Sequence, residues 1–272
     1  MLRIANITGD SATAALQLTW AAGKPQEYQF LSTEAISEDH IGRRAKARDM
    51  LRRAAGMARQ QNLAGAANTI VAQEALTAAV VGQCAEARSQ AVSAILPDQG
   101  PGNAGGPILA LAFCGDDTAA KKAADEITKR SPLHTFWKSV WLPSIQASTE
   151  LKRDQPQKAI ELLEAAKPCE RAWSTPVYLR GLAYLDLHKG PEAAAEFRKI
   201  LDHKGFNWGI FYPLAQAGFA RATALSGDTA AAKKAYQDFF DMWKDADTDL
   251  PPLMQPARNS RPCTDRCTYR LT

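Results

Sequence analysis

The chain has 272 residues, of which 46% are hydrophobic and 23% charged, and its formal net charge at neutral pH is +4. That composition excludes a collagen-like or low-complexity chain, and so small a charge gives no reason to expect nucleic acid as partner. No stretch approaches about 18 uninterrupted apolar residues, so no membrane span is expected. The opening MLRIANITGD lacks a basic region followed by an apolar core, so no signal peptide is expected. Cys84, Cys114, Cys169, Cys263 and Cys267 are odd in number and mostly scattered, which reads as reduced thiols and a cytoplasmic setting.

In chain order, apolar spacing and helix stop signals predict about thirteen helices and no strands. They fall at 11–22, 26–38, 43–60, 63–81, 84–96, 104–114, 118–130, 134–151, 155–166, 175–187, 190–203, 210–225 and 228–244. Pro143 predicts a kink in the eighth, whose Trp137 and Trp141 share a face and read as core filling. The tail from 251 to 272, PPLMQPARNSRPCTDRCTYRLT, has no periodicity and is expected to be disordered. Its Cys263 and Cys267 are too few ligands for a metal site.

A long-range rhythm links these helices. Ala47, Ala87, Ala120, Ala159, Ala193 and Ala232 follow one another at gaps of 40, 33, 39, 34 and 39 residues. A period near 34, with some steps lengthened in loops, is the sign of a helix-pair repeat array. Loop 97–103 and segment 204–208 hold part of the excess, and such insertions cost little closure entropy. Gly42, Gly82, Gly115 and Gly227 each stand five residues before the aligned alanine.

The unit from Ser174 to Gly205 is the most complete, with Gly181, Tyr184, Ala193 and Phe197 at fixed offsets in two helices split by Lys189-Gly190-Pro191. It resembles a tetratricopeptide repeat, and Ala220, Ala232 and Tyr236 fit the same pattern in the next unit. The fold expected is all-α, a solenoid of stacked antiparallel helix pairs forming a right-handed superhelix over residues 1–250. Its repeats fall at 28–61, 68–101, 101–133, 140–172, 174–205 and 213–246, after atypical N-terminal helices at 11–26. The wider order of elements, including IGRRAKARDMLRRA, KRSPLHTFWKSVWLPSIQA and ALSGDTAAAKKAYQDFFDMWKDAD, resembles the helical region that follows the kinase domain in bacterial eukaryotic-like Ser/Thr kinases. Stand-alone relatives and transcriptional regulators carry similar regions. The likeness ends near Gln255, and a truncated or frame-shifted gene end would account for the tail.

No phosphate loop, catalytic loop or metal-binding DFG motif occurs, so no kinase activity and no cofactor are expected. The four histidines, His40, His134, His188 and His203, are dispersed and read as cap or surface residues. Cys84, near a predicted helix start, reads as a packed, inert thiol. Arg44, Arg48 and Arg52 share one face opposite an apolar stripe; they are a candidate anion-binding patch, with a solvated face as the plainer reading. By the resemblance, the concave groove is lined by Leu76, Leu109, Ser144, Ser148, Tyr178, Leu182, Leu185 and Arg221. That mostly apolar set implies a protein or peptide guest, for instance a helix, with a kinase domain on a separate chain among the partners. The function expected is a protein-interaction scaffold. Its alternatives are a detached regulatory part of a kinase system and the ligand-sensing arm of a transcriptional regulator.

Overall fold

The computed structural model describes residues 1–95 and 100–250. The loop positions 96–99, the tail expectation and the Cys263/Cys267 pair fall outside them. Among the described residues there are fourteen α-helices and no strand. They are α1 (Leu2–Thr8), α2 (Ser11–Ala21), α3 (Glu27–His40), α4 (Arg44–Gln60), α5 (Ala64–Val80), α6 (Cys84–Ala94) and α7 (Pro101–Phe113). After them come α8 (Asp117–Arg130), α9 (Leu142–Lys152), α10 (Pro156–Leu163), α11 (Ser174–Asp186), α12 (Gly190–Leu201), α13 (Phe211–Leu225) and α14 (Thr229–Met242). The sequence missed only α1, which is seven residues long and covers Leu2 and Ala5. From α3 to α14 the chain forms six consecutive helix pairs, an all-α solenoid.

The spacing of small residues explains the pairs. Ala47, Ala87, Ala120, Ala159 and Ala193 have no accessible surface, and Ala232 keeps 4%. A methyl group there lets the second helix of a pair approach the first closely. Five residues before each alanine the backbone turns left-handed: φ is 79° at Gly42, 88° at Gly82, 74° at Gly115, 59° at Asp154, 58° at His188 and 80° at Gly227. In each turn the next amide reaches back to a carbonyl five residues earlier, as in Arg43 N to Glu38 O at 2.8 Å and Lys189 N to Tyr184 O at 2.9 Å. This is the helix stop that a left-handed residue permits. Four of the six turns use glycine; Asp154 and His188 fill the same role with a side chain.

Within the best-matched unit, Gly181 and Phe197 meet as expected. A Cβ on Gly181 would stand 2.7 Å from the Phe197 ring, and Gly218 of α13 presses on the same ring. Phe197 therefore joins α11, α12 and α13, while Tyr184, Tyr236 and buried Ala220 pack around neighbouring pairs.

The eighth expected helix is modified where proline was read. Trp137–Trp141 forms a π-turn ahead of α9, whose second residue is Pro143. Proline removes an amide donor, and a widened turn is the usual accommodation. The Ser144 hydroxyl donates to the Val140 carbonyl at 2.7 Å, satisfying part of what the turn leaves open. Trp137 and Trp141 are both core residues, and Trp141 lies flat against Gly105 of α7.

The reading of reduced thiols fails at one pair. Cys84 and Cys114 form a disulfide between the start of α6 and the residue after α7. The two cysteines are 30 positions apart in sequence, yet their Cα atoms are only 5.3 Å apart. The α5–α6 and α7–α8 turns carry the same glycine at the same offset, and stacking of adjacent units brings these sites together. Cys169 is a free thiol.

Candidate functional site

The solenoid does not remain open. The first pair meets the last across roughly two hundred residues of sequence. The Trp243 indole donates to the His40 carbonyl at 3.1 Å, and Asp247 N donates to Gly42 O at 3.1 Å. The Asp247 carboxylate accepts from Ala45 N at 2.7 Å, and Arg43 pairs with Asp245 at 2.9 Å. Gly42 permits this closure, since a Cβ there would lie 2.5 Å from that of Ala246. On the inner side, Val80 and Val81 at the end of α5 pack into the cluster of Val177, Tyr178, Leu185 and Leu214 from α11 and α13.

Closure sets the fate of the groove positions. Leu109, Ser144, Ser148, Tyr178 and Leu185 are buried, and Leu76, Leu182 and Arg221 are half-buried. They serve mostly as packing between inner helices and do not line one continuous trough. The basic patch is also taken apart. Arg44 retains 2% exposure and bonds Asp39 at 2.5 Å and Glu74 at 2.7 Å; Arg48 bonds Glu86 at 2.6 Å; Arg52 alone of the three is exposed. A side chain on the predicted solvated face is thus in the core. Helix α4 packs against both α3 and α5, so its first turn has neighbours on two sides.

One cavity of about 300 Å³ survives on the inner side, between α3, α5, the segment before α11 and the connection from α12 to α13. Its walls include Asp39, Leu76, Trp173, Phe206, Trp208 and Phe211. Leu76 is the one groove residue from the sequence reading that reaches it. The α12–α13 connection is held rigidly. Asn207 donates to the Ile200 and His203 carbonyls at 3.1 Å each, and the Trp208 indole donates to Ser37 Oγ at 3.2 Å. His40 stacks on Trp208 with ring centroids 3.7 Å apart and donates from Nδ1 to the Gly209 carbonyl at 3.2 Å. His40 is therefore neither cap nor surface, as the sequence had suggested; it is buried. Burial pushes its pKa down to about 4, with Lys204 adding to the effect against the Gly209 bond, so the ring is neutral at pH 7.

The aromatic wall is continuous with the core. Trp173 makes edge contacts with Phe136 at 5.1 Å and Trp141 at 5.4 Å, and Phe211 meets Tyr178 at 5.3 Å. Trp173 brings a buried indole N–H without an acceptor. Phe206 is 73% exposed and stands at the rim. Asp39 is the carboxylate in the wall, and it is 2% exposed. Burial raises its pKa to about 7 in spite of Arg44, and the negative charges of Glu74 and Glu38 add to the rise. Glu74 is raised by burial as well.

Sequence reading missed Asp39, Trp173, Phe206 and Trp208. The available signal was the insertion at 204–208, which holds two aromatic residues in what a minimal repeat leaves as a short polar turn. Among the described residues no group of three or more His, Cys, Asp or Glu could hold a metal ion, and no helix is long and apolar enough to cross a membrane. No protein-family model matches the chain, and no curated protein does.

Proposed function

We propose that the chain is a non-catalytic binding module of the tetratricopeptide type, which takes its guest at the cavity between α3, α5 and the α12–α13 connection. The observation that carries this reading is the cavity itself. It keeps an aromatic wall and a carboxylate where the rest of the inner surface is filled by side chains. A volume of about 300 Å³ suits a small molecule, at the lower end of the range for ligand sites. It does not suit a helix laid along the whole array. This favours the ligand-sensing alternative over an extended peptide groove. The resemblance of its order of elements to kinase-linked repeat regions, read from the sequence alone, is what suggests a regulatory role in signalling. The cytoplasmic setting inferred from reduced thiols loses support at Cys84 and Cys114, which are bonded.

Thermal-shift screening of the full chain against small organic compounds tests the reading. Compounds that raise the Tm of the wild type should raise it less in Phe206→Ala, because Phe206 is exposed and contributes little to folding. If no compound stabilises the chain and hydrogen exchange maps a protein partner to the outer helices α4, α6 and α8, the reading is wrong.

A further inference from the structure

We propose that the cavity binds a small primary amine with an aromatic body, its ammonium against Asp39 and its ring among Trp173, Phe206 and Phe211. The proposal rests on the binding-module reading and adds the chemical class of the guest.

The first argument is a charge count. Asp39 and Glu74 share one guanidinium, that of Arg44, and all three side chains are 4% exposed or less. Two carboxylates against one cation leave one negative charge over. The surrounding charges do not supply its partner. Glu38 is taken by Lys46 at 2.7 Å and Arg43 at 3.8 Å, and Arg48 is bonded to Glu86 at 2.6 Å. His40 next to Asp39 is neutral, and the exposed Lys204 is engaged over the Trp208 ring at 5.2 Å. Buried charge without a partner is costly, and Asp39 is the member of the cluster that reaches the cavity wall. Free of ligand, a proton taken up by one of the two carboxylates offsets the excess, in line with the raised pKa of both acids. A ligand ammonium replaces that proton.

The second argument is the wall. Trp173, Phe206 and Phe211 line the cavity with aromatic surface, of which a ring face attracts an organic cation and the rest takes its apolar body. Lys204 over Trp208 shows an ammonium already drawn to this aromatic group from within the chain. An anion is disfavoured by Asp39, and a purely apolar guest would leave the carboxylate without a partner.

Three isosteres separate the possibilities: tyramine, its neutral alcohol tyrosol, and the matching acid 3-(4-hydroxyphenyl)propanoate. Isothermal titration of the full chain at pH 8 should give tyramine at least tenfold tighter than tyrosol, with no binding of the acid. Asp39→Asn should erase the preference for tyramine over tyrosol. Phe206→Ala should weaken both by several fold while leaving Tm unchanged, which keeps the test valid if Asp39→Asn folds poorly. Equal binding of tyramine and tyrosol by the wild type would overturn the amine assignment and leave the binding-module reading standing. Tyramine that fails to bind at millimolar concentration, or binds Phe206→Ala as tightly as wild type, also overturns it. The binding-module reading then depends on the broader thermal-shift screen alone.

Discussion

Two buried arginines, one at each side of the array, have been given different company. Arg180 in α11 is 1% exposed and pairs with Glu170, and with Glu196 at 3.1 Å. Lys199 then bridges the same two carboxylates at 3.3 and 2.8 Å, so that cluster holds two positive and two negative charges. Arg44 in α4 also faces two carboxylates, Asp39 and Glu74, but no lysine joins them. The balanced cluster ties α11 to α12 and to the turn before Trp173. The unbalanced one borders a cavity. The two clusters differ both in charge balance and in the burial of their carboxylates.

The comparison breaks most directly at the arginines. Arg44→Met leaves two carboxylates buried with no cation and should lower stability by about 3–5 kcal/mol at pH 7. Arg180→Met leaves Lys199 in place, and Glu170 and Glu196 retain 13% and 11% side-chain exposure. Its expected loss is smaller, about 2 kcal/mol. Urea unfolding of both variants measures the difference, and equal losses would remove the distinction drawn between the clusters.

Next in size is the pH dependence. Asp39 has a folded pKa of about 7, above its unfolded value, so its contribution is fully present below pH 4 and is lost as pH rises through 7. His40 has a folded pKa of about 4, below its unfolded value, so its contribution is present above pH 6.5 and is lost as pH falls through 4. The two slopes oppose each other over pH 4 to 6.5, and the raised Glu74 acts in the same sense as Asp39, so wild-type stability should not rise with pH there. Asp39→Asn removes one of them. Its stability should rise with pH across that interval, by on the order of 1–2 kcal/mol, and hold between pH 6.5 and about 7.5, where the wild type declines as Asp39 finishes titrating. A profile parallel to wild type would show that Asp39 titrates as an ordinary carboxylate.

The smallest effect is the one that makes the two clusters alike. Lys199→Met should cost no more than about 1 kcal/mol, because Lys199 is 45% exposed and solvent screens its bonds. It would leave Arg180 with two carboxylates and no second cation, as at Arg44. A loss as large as that of Arg180→Met would mean that Lys199, and not the arginine, holds this cluster together.

Much of the fold was legible in the sequence. Twelve helices from α3 to α14 fall close to their predicted spans, and the aligned alanines are core residues in all six pairs. Less of the site was. The groove positions carried over from the repeat pattern lie on α5, α7, α9, α11 and α13, and most of them are buried. Whether an inner side chain meets solvent or another helix, however, depends on how far the array curves. Arg44 illustrates the limit at the level of one residue. Its spacing with Arg48 and Arg52 marks a polar face, but that face meets α3 and α5 at its first turn and solvent only further along. All the cavity-lining aromatics but Phe211 lay in connections, where no periodicity marks a residue as inward.

By itself, the sequence determined the helix pairs and their turns. A left-handed residue five positions before a small one is a local instruction, carried out by hydrogen bonds and contacts within about forty residues, and so it leaves a repeating trace. The tertiary structure alone decided the closure of the array, the Cys84–Cys114 bond, and the gathering of Asp39, Trp173 and Phe206 around one cavity. Those contacts depend on the small rotation from each pair to the next, accumulated over six pairs. No single repeat encodes that sum, which is why Gly42 and Ala246 can touch without any periodic sign of it in the chain.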